Sequence, residues 1–290
     1  MLDSNHGTST LSIAGTNTLS LPAAVGDAPA SGRLRYLQGG TGSPVLLLHT
    51  VRTQAEHFHR LLPRLLPGHT VYALDLPGMG WSDIVPGASY EEPAMRAAVL
   101  RLLDDLDLRD VTVVGESMGA VLALTAASER PDRVRRVVAI NPYDYAGGIL
   151  RSGPLARVII GGVTAPIVGP LLAGVEPRPV VRRILRGGLV DRSALTEDYL
   201  TELLRVGRRP GYSDVARGVY RALPSLIDAR SAYERVDVPV TLVHGDHDWS
   251  RESDRRAHVR ALPHADVHRI EGAGHFLSLE KPDVVAALID

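Results

Sequence analysis

The stretch Val111-Thr112-Val113-Val114-Gly115-Glu116-Ser117-Met118-Gly119 decides the fold. Its first half is an apolar, β-branched run of the kind that forms a buried strand, and an alanine-rich segment with helical patterning follows Gly119. Between them stands G-x-S-x-G, in the strand–turn–helix context that a nucleophilic serine needs. On so tight a turn, side chains two residues before or after the serine collide with the neighbouring strand and helix, which explains glycine at both places. The turn exposes the hydroxyl beside a helix N-terminus, whose free N–H groups can receive a developing oxyanion. Ser117 is therefore the candidate nucleophile.

Working outward, β-branched runs alternate with helical patterns from Arg33 onward, the signature of a parallel sheet covered by helices on both faces. The clearest strands are Pro44–His49, Thr70–Asp75, Val111–Gly115, Val134–Asn141, Pro239–Gly245 and Ala265–Glu271. Helical candidates are Thr53–Leu66, Glu91–Leu106, Ser117–Arg130 and Ser253–Leu262. The rhythm breaks between Pro142 and Ile227, a stretch rich in glycine, proline and arginine that holds helical patterns and no convincing strand. It reads as a helical insertion over the C-terminal edge of the sheet, where open α/β sheets place their ligands.

A serine hydroxyl is a weak nucleophile that needs a base, and the base needs an orienting acid. Downstream, Leu242-Val243-His244-Gly245-Asp246-His247-Asp248 ends one strand with two aspartates, and Gly272-Ala273-Gly274-His275-Phe276 follows the last strand. Together with Asp75-Leu76-Pro77-Gly78-Met79-Gly80-Trp81-Ser82-Asp83, which resembles a D-x-P-G-x-G-x-S loop, these segments are similar to those of the α/β-hydrolase-fold superfamily from about Arg33 to the last residue. The resemblance implies a mostly parallel central sheet flanked by helices, with a helical cap inserted after the sixth strand. It implies residues 31–141 and 228–290 as the core, 142–227 as the cap, and 1–30 as an N-terminal tail and first-strand region. It also implies His275 as base and Asp248 as acid, with Asp246 the competing acid whose other role is to hydrogen-bond its loop. Asp75, Ser82 and Asp83 are expected to be structural.

The chain departs from the family after its third strand. Most relatives read His-Gly-x there, with a backbone oxyanion donor, and Met118 N–H would supply the other donor. This chain reads His49-Thr50-Val51-Arg52, so the backbone of Thr50 and Val51 is the expected donor region, a hydroxyl enters the site, and His49 is expected to be structural. His49-Thr50 and Gly115-Glu116-Ser117 are also similar to plant hydroxynitrile lyases of this fold, although the lysine beside their catalytic histidine is replaced by Phe276. Haloalkane dehalogenases and most epoxide hydrolases of the fold carry aspartate at the elbow, whereas serine points to attack at a carbonyl. The expected function is thus a serine hydrolase cleaving a carboxylic ester, with thioesters and carbon–carbon bonds also open. A lyase or cyclase on the same triad is the alternative.

Composition sets the remaining bounds. The 290 residues are 44% hydrophobic and 22% charged, which suits a large folded core and excludes a disordered or collagen-like chain. With no cysteine, disulfides and thiolate chemistry are excluded, so nucleophilic work falls to serine. A net charge of −1 gives no reason to expect nucleic acid. No cofactor or metal is expected: His57 and His59 are badly spaced for a helix-borne site, and the triad and loop polarity account for the cluster His244–Asp248. The partner is expected to be a small apolar substrate, the chain a monomer or homodimer. The start lacks a charged n-region and apolar h-region, so a cytoplasmic location is expected, with a mobile tail over the first ten residues. The apolar run Ile159–Val175 is too short and too broken by proline and glycine to span a membrane. From Pro142 to Ile227 twelve arginines face seven acids, either a solvated helical face or a basic rim for a carboxylated or phosphopantetheine-bearing substrate. Among the cap tyrosines, Tyr143 and Tyr145 follow a strand end and are the expected pocket residues, with Glu116 beside the nucleophile.

Overall fold

The computed structural model describes residues 11–23, 32–166, 169 and 177–290. Eight strands form one sheet: β1 Thr16–Leu21, β2 Leu34–Gly39, β3 Ser43–Leu48, β4 His69–Leu74, β5 Val111–Glu116, β6 Val134–Ile140, β7 Val240–Gly245 and β8 Asp266–Ile270. Their order is β1-β2-β4-β3-β5-β6-β7-β8, antiparallel for β1–β2 and β2–β4 and parallel from β4 through β8. The central strands β3, β5 and β6 carry the continuous apolar stretches Val45–Leu48, Val113–Val114 and Val137–Ile140 because both faces are covered. One face packs under the helices Glu92–Asp105 and Met118–Glu129, with Met95, Val99, Leu102 and Leu103 turned inward at helical spacing. The other is covered by the segment around Phe58–Leu65 and the helix Pro282–Ile289.

The chain leaves β3 toward β4 on one side, and β5 then pairs on the other side of β3. That reversal opens a crevice at the carboxyl ends of β3 and β5, the usual place for a ligand in an open α/β sheet. Between β6 and β7 the described residues hold the helices Pro154–Thr164, Arg178–Arg186, Glu197–Gly207 and Tyr212–Asp228, and no strand. The first ten residues and much of the apolar run after Thr164 lie outside the described residues. Among the described residues, no helix is long and apolar enough to cross a membrane.

Two local readings are corrected and one strand is added. The region Thr53–Leu66 is a 3-10 turn, Ala55–Phe58, and a single helical turn, Leu62–Leu65, with the Ala55 N–H donating to the Asp75 carboxylate at 2.7 Å. The helix after the elbow starts at Met118, since Ser117 is not helical. Strand β2 escapes the sequence reading because Arg35 breaks its apolar pattern, yet Arg35 is buried between Glu56 and Asp75, at 2.5 and 3.0 Å.

Candidate functional site

The site begins with backbone geometry. Ser117 adopts φ 62° and ψ −114°, a left-handed conformation that a non-glycine residue keeps only when its surroundings enforce it. They do so by close approach: a Cβ on Gly115 would lie 2.0 Å from the Gly119 carbonyl oxygen, and one on Gly119 would lie 2.0 Å from that of Leu48. Strand and helix can therefore meet only across glycines. The Ser117 N–H donates to Ile140 O at 2.8 Å and the Ser117 carbonyl accepts from Tyr143 N–H at 3.2 Å, which pins the turn to β6.

Beyond β7 and β8, two loops bring the other groups to the same sheet edge. His275 Nε2 is 2.9 Å from Ser117 Oγ, and His275 Nδ1 is 2.5 Å from Asp248 Oδ1. All three side chains are buried. Burial pushes the Asp248 carboxyl upward, but the facing imidazole and hydrogen bonds from Ser250 outweigh it and leave it below the usual carboxylate range. Asp246 points elsewhere: its oxygens accept the Gly272 and Ala273 N–H groups at 3.1 and 3.2 Å, shaping the loop that carries His275. Asp75 likewise holds the Ala55 and Trp81 N–H groups, and Ser82 bridges Arg35 N–H to the Asp75 carbonyl.

On the β3 side, His49 is fully buried. Its Nδ1 lies 2.8 Å from the Thr50 carbonyl and its Nε2 accepts the Leu76 N–H at 3.0 Å, an arrangement that suits only neutral imidazole. Burial lowers its pKa to about 3. Thr50 and Val51 line a cavity, together with Arg52, Ile149, Tyr212, Tyr220 and cap aliphatics such as Leu185 and Leu203. Trp249 and Phe276, which directly follow Asp248 and His275, also line it. Thr50 Oγ1 is buried and has no hydrogen-bond partner among the described residues. Met118 opens the helix after the nucleophile, so its N–H belongs to the first-turn groups without an intrahelical acceptor.

The lining of that cavity does not include the three expected pocket residues. The Tyr143 and Tyr145 rings pack on each other with centroids 5.2 Å apart, Tyr143 Oη accepts the Ile149 N–H at 2.9 Å, and the Tyr143 ring meets His275 edge-on at 6.3 Å. Tyr212 and Tyr220 take the lining positions instead. Glu116 is wholly buried on the other side of the turn, 2.5 Å from His57 Nε2 and accepting Ser278 N–H at 3.2 Å. Neighbouring residues at a strand end point to opposite faces, so Glu116 cannot share the orientation of Ser117. His57 continues to Tyr199 Oη of the cap at 3.0 Å.

Two features went unread in the sequence. Trp249 stacks on His275 with ring centroids 3.8 Å apart and planes 16° from parallel, and its indole N–H donates to Gly187 O at 3.3 Å. Its only signal was an aromatic residue after Asp248. Glu280 joins cap to core, accepting the Gly274, Val190 and Asp191 N–H groups at 2.6, 2.6 and 2.7 Å, while the His275 N–H donates to Gly188 O at 2.7 Å. The cap segment 187–191 is thus hydrogen-bonded to the loop that carries the histidine. Many cap arginines serve the structure: Arg178 and Arg182 pair with Glu197, Arg151 with Asp254, and Arg217 and Arg221 donate to the carbonyls of Val163 and Thr164.

Known proteins share this framework. Haloalkane dehalogenase 2 of Mycobacterium tuberculosis is 27% identical over 269 residues, covering 89% of this chain and 90% of that protein. An uncharacterized hydrolase of Bacillus subtilis is 24% identical over 250 residues, covering 83% and 86%. Among solved structures, a putative epoxide hydrolase from Pseudomonas aeruginosa superposes with a TM-score of 0.77 at 23% identity, over 95% of this chain and 94% of that one. The family model described as alpha/beta hydrolase matches residues 45–288, a span that contains the strained serine, the aspartate and the histidine. This chain belongs to the alpha/beta hydrolase family.

Proposed function

We propose that the protein is a serine hydrolase that cleaves a carboxylic ester of a small, largely apolar molecule through a Ser117–His275–Asp248 triad. One observation carries the reading: a serine hydroxyl, held on a strained turn, lies 2.9 Å from the imidazole nitrogen opposite the one bonded to Asp248. The similar proteins named for haloalkanes and epoxides act on other bonds, and the residue type at the elbow separates this chain from an aspartate-based displacement. In the proposed reaction His275 Nε2 takes the Ser117 proton as Oγ bonds to the acyl carbon. Backbone N–H groups of Met118 and of the Thr50–Val51 segment hold the oxyanion. Collapse breaks the ester C–O bond, and the leaving alkoxide takes the proton from His275. Water, deprotonated by the same imidazole, then releases the acid and restores Ser117. Ser117→Ala is expected to abolish fluorophosphonate labelling and to reduce p-nitrophenyl ester turnover by about 10³-fold or more. Ester turnover surviving in that variant sinks the proposal.

The unpartnered Thr50 hydroxyl on the cavity favours one second reading, a lyase or cyclase in which that hydroxyl hydrogen-bonds the substrate. Turnover in ¹⁸O-water separates the two. Hydrolysis places the label in the product acid, whereas elimination or cyclisation leaves the product unlabelled.

A further inference from the structure

The geometry points to Arg52 as an anion-recognising residue, and hence to a substrate that carries a carboxylate close to its scissile acyl group. This deepens the reading of the Ser117 site and rests on it. Arg52 lines the same cavity as Thr50, two residues away, so their backbones are at most about 7 Å apart. Its guanidinium carbon sits 5.5 Å from the Tyr212 ring centroid and 5.4 Å from that of Tyr220, and Nη1 donates to Tyr220 Oη at 3.4 Å. Both rings also line the cavity. The cation is therefore held in place by neutral cap aromatics before any ligand arrives, which lowers the ordering cost of binding.

Two further observations support a ligand role. Among the described residues lining the cavity, Arg52 is the one charged side chain, and the rest are apolar or hydroxyl-bearing. One cation within low-dielectric walls gives the cavity a positive potential. In addition, Arg52 adopts φ 55°, in the left-handed region that costs a non-glycine residue backbone strain. A single guanidinium matches a monoanionic carboxylate by bidentate pairing, whereas a phosphate dianion calls for more than one cation. The buried Thr50 hydroxyl on the same wall offers the substrate a second polar contact.

The test compares a charged ester with its neutral counterpart. Mono-p-nitrophenyl glutarate and p-nitrophenyl valerate are assayed with the wild type, Arg52→Met and Arg52→Lys, each checked by thermal melting. Arg52→Met is expected to lower kcat/KM for the glutarate about 10- to 100-fold more than for the valerate, and Arg52→Lys to recover part of that difference. Calorimetry with Ser117→Ala gives a readout free of turnover: monomethyl glutarate is expected to bind at least about tenfold more tightly than dimethyl glutarate, and to lose that margin when Arg52→Met is added. If neither ester is hydrolysed but the binding margin depends on Arg52, the hydrolase reading falls and the anion site stands. If the valerate is hydrolysed and neither assay shows a charge preference, the anion site falls and the hydrolase stands. Equal losses on both esters in Arg52→Met also overturn it.

Discussion

Two buried aspartate–histidine pairs lie among the described residues, and they end differently. At the sheet edge, Asp248 holds His275 at 2.5 Å, and the far nitrogen of the imidazole meets the Ser117 hydroxyl at 2.9 Å. Beside β7, Asp144 holds His258 at 2.5 Å, and the far nitrogen meets a second imidazole, His244, at 3.1 Å. Burial pushes each carboxyl up and the facing histidine pulls it down, with a net fall in both. The polar geometry near each aspartate is thus nearly the same. What differs is the group that the far nitrogen faces and the ground around it. Ser117 sits on a strained turn, and Trp249, stacked on the His275 that faces it, lines a cavity, whereas His244 is buried, stacked on His258, and lowered to about 3 by burial. Asp144 also accepts from Arg230, at 2.9 and 3.1 Å, which ties the start of the insertion to the segment after its end. An aspartate–histidine pair is therefore a positioning unit, and chemistry depends on what the second nitrogen faces.

Breaking each pair tests this contrast. The largest effect is expected from Asp248→Asn, which misdirects the imidazole tautomer and lowers kcat for ester hydrolysis by about 10³- to 10⁴-fold with little change in fold. Retention of most activity would show that the Asp248 pair is as passive as the other. Asp144→Asn is expected to act on stability instead, lowering unfolding free energy by about 2–4 kcal/mol because Arg230 and His258 lose a buried anionic partner. Its kcat at a temperature where it stays folded should fall within about threefold of the wild type; a large specific loss would make the second pair part of the reaction. The smallest effect sharpens the comparison through pH. Both carboxyls are held below the ordinary aspartate value of 3.8, so the stability they add is complete above that value and is lost as pH falls from it through their lower folded values. Denaturant unfolding of the wild type should weaken below about pH 4. Asp144→Asn should reduce that slope by up to about 1.4 kcal/mol per pH unit, the share of one proton.

The core framework was legible in the sequence wherever the reason is local. Gly115 and Gly119 flank Ser117 because a Cβ at either place meets backbone, and such a constraint writes itself into a five-residue motif. His49 could be read as structural because it follows a strand at a fixed place in the family pattern. Strand β2 was not legible, since its Arg35 looks like a surface residue until Glu56 and Asp75, far along the chain, arrive to pair with it. The cavity lining was not legible for a related reason: Tyr143 and Tyr145 stand where a loop leaves the sheet, whereas the tyrosines that line the cavity, Tyr212 and Tyr220, come from far along the chain. The loop's path depends on what the cap packs against, which no short window of sequence records.

The sequence by itself determined the sheet-forming rhythm, the strained serine turn and the identity of the residues available to act on an acyl group. Those follow from side-chain sterics, periodicity and the absence of cysteine, all of which operate over a few residues. The tertiary structure decided which of two neighbouring aspartates faces His275, that Trp249 stacks on that imidazole, that Glu280 ties cap to core, and that Arg52 is set between two cap tyrosines. Each of these is a meeting of side chains or backbone from elements brought together only when β3, β5, β7 and β8 line up at one edge beneath the insertion. Hydrogen bonds and ion pairs reach only a few ångströms, so partners distant in sequence acquire roles only once packing has fixed their separation.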